Sequence, residues 1–322
     1  MKLLSIGDRV RSGSYRLHSC FQRAVNYQHR GRLVSVVDES IGPGPVNIMF
    51  RSPELAAGGK HGPGLIPGAP QAIGTLQVAS NTVLFAGHPY RFTARHRYHS
   101  ALELPVVDAR RLRRNLATLA RLLCESAPAH SLAFLLDRRR LRFFRTGFER
   151  AFAQRIERAA QQVFHGDLLK GVAELKGCGM GLTPSGDDFI AGMLIGLSFL
   201  QKLHGCQLSL LADAICRAGR GDSVLSNTQM DLAREGLLFG HVKDALEALA
   251  AGNAPCLRCA TQKLFSVGAT SGADLATGVF MMLVPAKPGG RLRRLNVLPL
   301  QAVRRLRILD AFSPPAGFAD RS

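Results

Sequence analysis

An α+β chain is expected from the sequence: a β-rich N-terminal small sheet or barrel, then a mainly α-helical region carrying a glycine-loop/helix motif twice. Three observations lead there. Up to about residue 104 the apolar residues come in short, β-branched runs broken by Gly and Pro, which is strand patterning. After Pro105 they recur at the three- and four-residue spacing of an amphipathic helix. Two distant stretches, Gly181-Leu-Thr-Pro-Ser-Gly-Asp-Asp188 and Gly268-Ala-Thr-Ser-Gly-Ala-Asp274, share one pattern once Pro184 is dropped, which matches Thr183 to Thr270, and each precedes an apolar run. The expected division is a β-rich domain over 1–104, a helical domain bearing both motifs over 105–284, and a basic tail over 285–322.

In chain order, residues 32–37 and 46–50 read as strands separated by the turn Gly42-Pro43-Gly44-Pro45, and 75–86 as a second β region turning at 79–81. The Gly/Pro-rich stretch from Gly58 to Pro70 reads as a surface excursion. His88, His96 and His99 lie among arginines with no acid or thiol to complete a metal shell, so they are expected at the surface. Helical patterning begins with Val106, Val107, Leu112, Leu116 and Leu119, and covers 131–145 and 148–164 as two more amphipathic helices. Asp167 is placed to cap a helix over 168–176, with Gly177 as its C′ residue.

The run Gly177-Cys-Gly-Met-Gly-Leu-Thr-Pro-Ser-Gly-Asp-Asp188 then opens an apolar helix, in which Gly192 and Gly196 allow close approach of a neighbour. Further helices are expected over 208–218, 223–239, 241–251 and 255–267, with a last apolar run over 279–284. Cys256 and Cys259 read as packed, inert thiols, because no second pair offers metal spacing. The tail holds the arginine-rich stretch from Arg291 to Arg307 and a short amphipathic helix near 298–309.

The motif itself reads two ways. Ser185 with Asp188, and Ser271 with Asp274, have the spacing of a capping box, which explains much of the pattern as a helix start. A helix start with glycines is also a ready anion site, since free N–H groups and the positive end of the dipole attract negative charge. What exceeds capping lies in the first copy: Asp187 faces Ala273 in the alignment, and Gly177, Gly179 and Gly181 have only Gly268 opposite them. Neither a phosphate-binding loop with its lysine nor a dinucleotide fingerprint is present. Two such starts point to a pseudo-symmetric helical unit, with Gly179, Gly181, Thr183, Ser185, Gly186, Asp187, Asp188, Thr270, Ser271 and Asp274 as candidate ligand residues. No cofactor is expected, the alternative being a divalent cation at Asp187 and Asp188.

The two motifs and their spacing resemble a bacterial family catalogued as a domain of unknown function, one of whose members is a subunit of oxamate carbamoyltransferase in anaerobic allantoin (purine) degradation. The resemblance spans roughly residues 164–283. It implies carbamoyl exchange between carbamoyl phosphate and oxamate, giving oxalurate and phosphate, with a small anionic substrate and other enzyme subunits as partners. Under that reading Thr183 and Asp187 are the candidate catalytic residues, Thr183 and Ser185 bonding the ligand and Asp187 orienting an amino group or a metal. The Ser-x-Arg-Thr turn of ordinary carbamoyltransferases is absent. The alternative is a non-catalytic scaffolding subunit in which both motifs are helix starts only.

Composition bounds these readings. The chain has 322 residues, 46% of them hydrophobic, enough for a substantial core. Seven scattered cysteines without a framework, and no apolar stretch of signal-peptide type after Lys2, lead to the expectation of a reducing cytoplasm. The formal net charge is +19, and only eight of the 42 basic residues are lysines. Such a surface admits an acidic partner, an anionic substrate or weak nucleic-acid binding. With no Trp and four Tyr it is poorly equipped to stack bases, so nucleic acid is not expected as a specific partner, nor is a membrane.

Overall fold

A computed structural model describes residues 1–51, 74–165 and 167–284. The Gly58–Pro70 excursion and the basic tail with its short helix lie outside the described residues. Nine strands, β1 (Lys2–Gly7), β2 (Gly13–Cys20), β3 (Ala24–His29), β4 (Arg32–Asp38), β5 (Asn47–Arg51), β6 (Thr75–Val78), β7 (Thr82–Phe85), β8 (His88–Arg91) and β9 (Arg97–Tyr98), form one sheet in the order β8-β7-β6-β2-β3-β4-β5-β1-β9. Most pairs are antiparallel, whereas β4–β5 and β1–β9 are parallel. The sheet curls on itself. Phe50 of β5 stacks on Phe85 of β7 at 5.6 Å between ring centres and meets Tyr90 of β8 at 4.7 Å, although β5 and β7 are far apart in the strand order. Tyr27, Ile48, Leu76 and Val83 fill the inside of this half-barrel.

The helices follow: α1 (Ala109–Ser126), α2 (Gly147–His165), α3 (Leu168–Leu175), α4 (Ser185–His204), α5 (Ser209–Gly219), α6 (Val224–Arg234), α7 (Gly240–Ala251), α8 (Ala254–Phe265) and α9 (Ser271–Leu283). The α+β expectation holds. Asp108, not Pro105, sets the start of α1, its side chain accepting from Arg111 N at 2.6 Å, and Val106 is left fully exposed. Asp167 caps α3 as expected, and Gly177 follows at φ 67°.

Two helix expectations fail. Residues 131–145 form two short 3₁₀ turns, Leu132–Leu135 and Arg138–Phe143. The buried Arg140 pins the second turn by donating to the carbonyls of Cys124, Ala127 and Pro128 at the end of α1, a fold-back that a straight helix would forbid. The helix expected over 223–239 ends at Arg234, because Gly236 turns left-handed at φ 69° and Leu237 bridges to Ala101.

At the centre, α4 and α9 lie against each other. A Cβ on Gly192 would strike the carbonyl oxygen of Leu275, and one on Gly278 the carbonyl oxygen of Phe189, so each helix notches the other at equivalent positions. Helix α6 runs alongside α4, with Gln229 at Asp188 and Gly236 against Ser198. The sheet joins the helices at the far end of α6: Leu238 N donates to Ser100 O, Leu102 N to Gly236 O, and Gly240 N to Pro43 O. With Ser198 thirteen residues beyond Ser185, that seam lies about 20 Å along α4 from its start, so the sheet does not line the helix starts.

Candidate functional site

The first helix start is built by glycines that the backbone needs. Gly179 sits at φ 124°, where a Cβ would come within 2.6 Å of Ser185 N, and Gly181 at φ 104°. Between them Met180 protrudes into solvent, as does Leu182 just after. The loop is tied from inside: Gly177 N donates to Asp187 Oδ1 at 2.7 Å, and Gly186 N to Cys178 O at 2.8 Å. Asp187 N and Asp188 N both return to Pro184 O. The second start repeats this wiring, with Gly272 N on Val267 O at 3.1 Å and Ala273 N and Asp274 N on Thr270 O at 2.9 Å. Gly186 and Gly272 also share a neighbour, each resting on the carbonyl of a leucine at the end of the preceding helix, Leu175 and Leu264.

These bonds set the true equivalences. Pro184 occupies the place of Thr270, and Cys178 that of Val267, so the first loop spans eight residues where the second spans five. The extra residues carry Gly181, Leu182 and Thr183. The sequence alignment, which dropped Pro184 and matched Thr183 to Thr270, placed the insertion wrongly.

The capping boxes do not form. Neither α4 nor α9 has a side-chain cap, and their N-cap positions are held by Pro184 and Thr270. The serine of each motif faces the acid of the other instead: Ser271 lies beside Asp188, and Ser185 beside Asp274. Thr183 joins the two starts, its Oγ1 donating to Asp188 Oδ2 at 3.1 Å and lying 3.3 Å from Ser271 Oγ. Gln229 of α6 donates to Asp188 Oδ1 at 3.3 Å, and Ser223 Oγ reaches Leu182 O at 3.5 Å. Asp274 Oδ1 accepts from Leu132 N at 2.6 Å, while its Oδ2 is buried with no hydrogen-bond partner among the described residues.

Burial dominates the electrostatics. Asp188 is 1% exposed, and its carboxyl is pushed up to about 8, first by loss of solvent and then by the charge of Asp274; Ser271, Thr183 and Gln229 oppose the shift. Asp274 is pushed up to about 7 by complete burial, against the pull of Leu132 N, Ser185 and Thr270. Near neutral pH the pair thus holds a proton readily, offering one carboxyl as donor and the other as acceptor. Asp187 and Asp188 serve different partners, Gly177 on one side and Thr183 with Gln229 on the other, and no group of three metal-ligating side chains occurs among the described residues. Cys178 is buried, donates to Glu174 O, and has its thiol raised by burial, which disfavours a thiolate.

The partly exposed rim consists of Thr183, Ser271 and Thr270, with the amides of Gly179 to Leu182 unbonded among the described residues. The amides of Gly186, Asp187, Asp188, Gly272 and Asp274 are consumed by the chain's own carbonyls. Gln229, Ser223 and the amide of Leu132 escaped the sequence reading, and no motif spacing could have found them. Ser226, Asn227 and Thr228 are ordinary residues of the first turns of α6 and do not bond to the loop: Asn227 binds Gly221, and Thr228 donates to Val224 O. Cys256 and Cys259 are exposed, contrary to the packed thiols expected, because they lie on the outer side of the α8 start. His88 and His99 are exposed, and His96 bonds Thr93.

A family model described as oxamate carbamoyltransferase subunit AllH matches residues 175–283, a span that opens on the last residue of α3 and closes on the last of α9. No curated protein and no solved structure matches the chain.

Proposed function

We propose that the chain is a subunit of a carbamoyltransferase acting on carbamoyl phosphate and oxamate, and that the joined starts of α4 and α9 bind the small substrate. The reading is carried by the meeting of Thr183 and Ser271 at 3.3 Å above a buried acid pair, within the span that the oxamate carbamoyltransferase subunit model matches. Thr183 and Ser271 would hydrogen-bond the ligand, the open amides of Gly179 to Leu182 would take its negative group, and Asp188 would accept from an N–H of a carbamoyl or carboxamide group. Asp187 would contribute by holding the loop through Gly177.

The test is phosphate release from carbamoyl phosphate plus oxamate, measured with the partner subunits present. Asp188→Asn and Thr183→Val should each lower the rate by about 100-fold, and Asp187→Ala should lower it by disordering the loop. Wild-type rates in the first two variants would instead favour a scaffolding subunit, a reading supported by the consumed amides of Gly186, Asp187 and Asp188.

A further inference from the structure

We propose that the exposed arginine face of α1 is the docking surface for an acidic segment of a partner protein chain, an inference that rests on reading the chain as a subunit. Helix α1 has no acid in its first turn, yet Arg110 and Arg111 stand there and Arg113 and Arg114 in the next turn, all exposed. Cations at a helix N-terminus oppose the dipole. The spacings 110–113, 110–114 and 111–114 also place like charges on neighbouring positions of one helical face. Arg121 extends the row to about 16 Å. None of these guanidinium groups forms an ion pair among the described residues; Arg111 alone is anchored, donating to Ala251 O at 3.0 Å.

Asp108 at the N-cap offsets part of the dipole, but the like-charge row still costs the chain stability, and no ion pair among the described residues relieves it. An acidic segment from outside would relieve both the dipole and the like-charge penalties. Beside the row, Arg111 and Arg114 border a cleft closed on its other side by the backbone of residues 251–254 at the start of α8, a place suited to one carboxylate. The positions flanking the arginines on this face are the exposed Ala109 and the half-buried Ala117 and Thr118, with no amide or aromatic side chain to read or stack a base, which favours protein over nucleic acid.

The full-length chain is titrated with labelled poly-L-glutamate and, separately, with mixed-sequence duplex DNA at about 0.15 M salt. Two variants of equal net charge are compared: Arg110, Arg113, Arg114 and Arg121→Gln on α1, and Arg16, Arg30, Arg32 and Arg91→Gln on the sheet. The α1 variant should lose at least about tenfold in polyglutamate affinity and the sheet variant less than about threefold, while the α1 variant melts higher than wild type at low salt. Equal losses in both variants, absence of polyglutamate binding, tighter binding of DNA lost only in the α1 variant, or a lower melting temperature in that variant would each overturn the proposal. Phosphate release is not read, so its failure and this one are told apart.

Discussion

Asp274 puts a carboxyl oxygen with no hydrogen-bond partner among the described residues in the middle of the protein, and burial raises its carboxyl to about 7, which favours the neutral form. The consequence for stability has a definite sign. Both acids are raised above their unfolded values, so the folded state binds protons more tightly; their contribution is complete below about pH 4 and is lost as pH climbs through the folded values of about 7 and about 8. Asp274→Asn keeps an oxygen for Leu132 N and cannot ionise. In urea titrations it should gain on the wild type between about pH 5 and about pH 8, by on the order of 1–3 kcal/mol; an unchanged difference across that range would mean Asp274 stays charged in the folded state. The sequence displayed the serine and the acid of each motif but not whom they address. Local spacing argues for a cap three residues away, whereas the real partner lies in the other motif, and no periodicity reports that. Thr261 makes the complementary case: its hydroxyl is fully buried without a partner among the described residues and borders a cavity of about 20 Å³ lined by Leu119, Leu249 and Leu275. Thr261→Val, which removes that unpaired hydroxyl at constant shape, should be neutral or stabilising by about 1 kcal/mol in the same titration.

Helices α4 and α9 show how two elements can be fixed by what they lack. Gly192 and Gly278 are the contact, each with the other helix's carbonyl where a side chain would begin. Gly192→Ala pushes a Cβ into backbone that cannot swing aside, so it should cost about 2 kcal/mol or more and separate the two starts that meet at Thr183 and Ser271. Gly205→Ala is the control: it has open space around it and costs only what a left-handed residue at φ 59° demands, about 1 kcal/mol. If both variants unfold at the same urea concentration, the notch is not what holds the pair. This much could be read in advance, since Gly192 and Gly196 within an apolar run already signalled a close neighbour. The stretch 131–145 could not. Its apolar spacing suits a helix, and only the three carbonyls awaiting Arg140 at the end of α1 explain why it breaks into 3₁₀ turns.

Across the molecule, the half-barrel and the helices keep separate large apolar interiors and are stitched at a seam where the small apolar cluster of Val46, Leu232 and Leu237 lies beside a set of hydrogen bonds. Asp8 carries much of it, its two oxygens taking Ser100 N at 2.9 Å and Ser100 Oγ at 2.7 Å, beside the backbone bonds from Leu238 and Leu102 and the Arg9–Glu235 ion pair. The sequence showed a β-rich half and a helical half because the period of the apolar residues changes near Pro105, but the seam is made of pairs more than ninety residues apart and left no local trace. Its position matters for function. It touches the end of α6, whose middle residue Gln229 bonds Asp188 and whose N-cap Ser223 reaches Leu182 O, so a displacement of α6 would carry a change at the sheet to the helix starts. Asp8→Ala leaves the Ser100 amide unpaired and should cost about 1–3 kcal/mol. Followed by near-ultraviolet ellipticity for the sheet's tyrosines and far-ultraviolet ellipticity for the helices, its thermal unfolding should split into two transitions, the sheet first. A single transition shifted as a whole would show that the backbone bonds of Leu102 and Leu238 suffice to keep the halves cooperative, and that α6 feels the sheet through them.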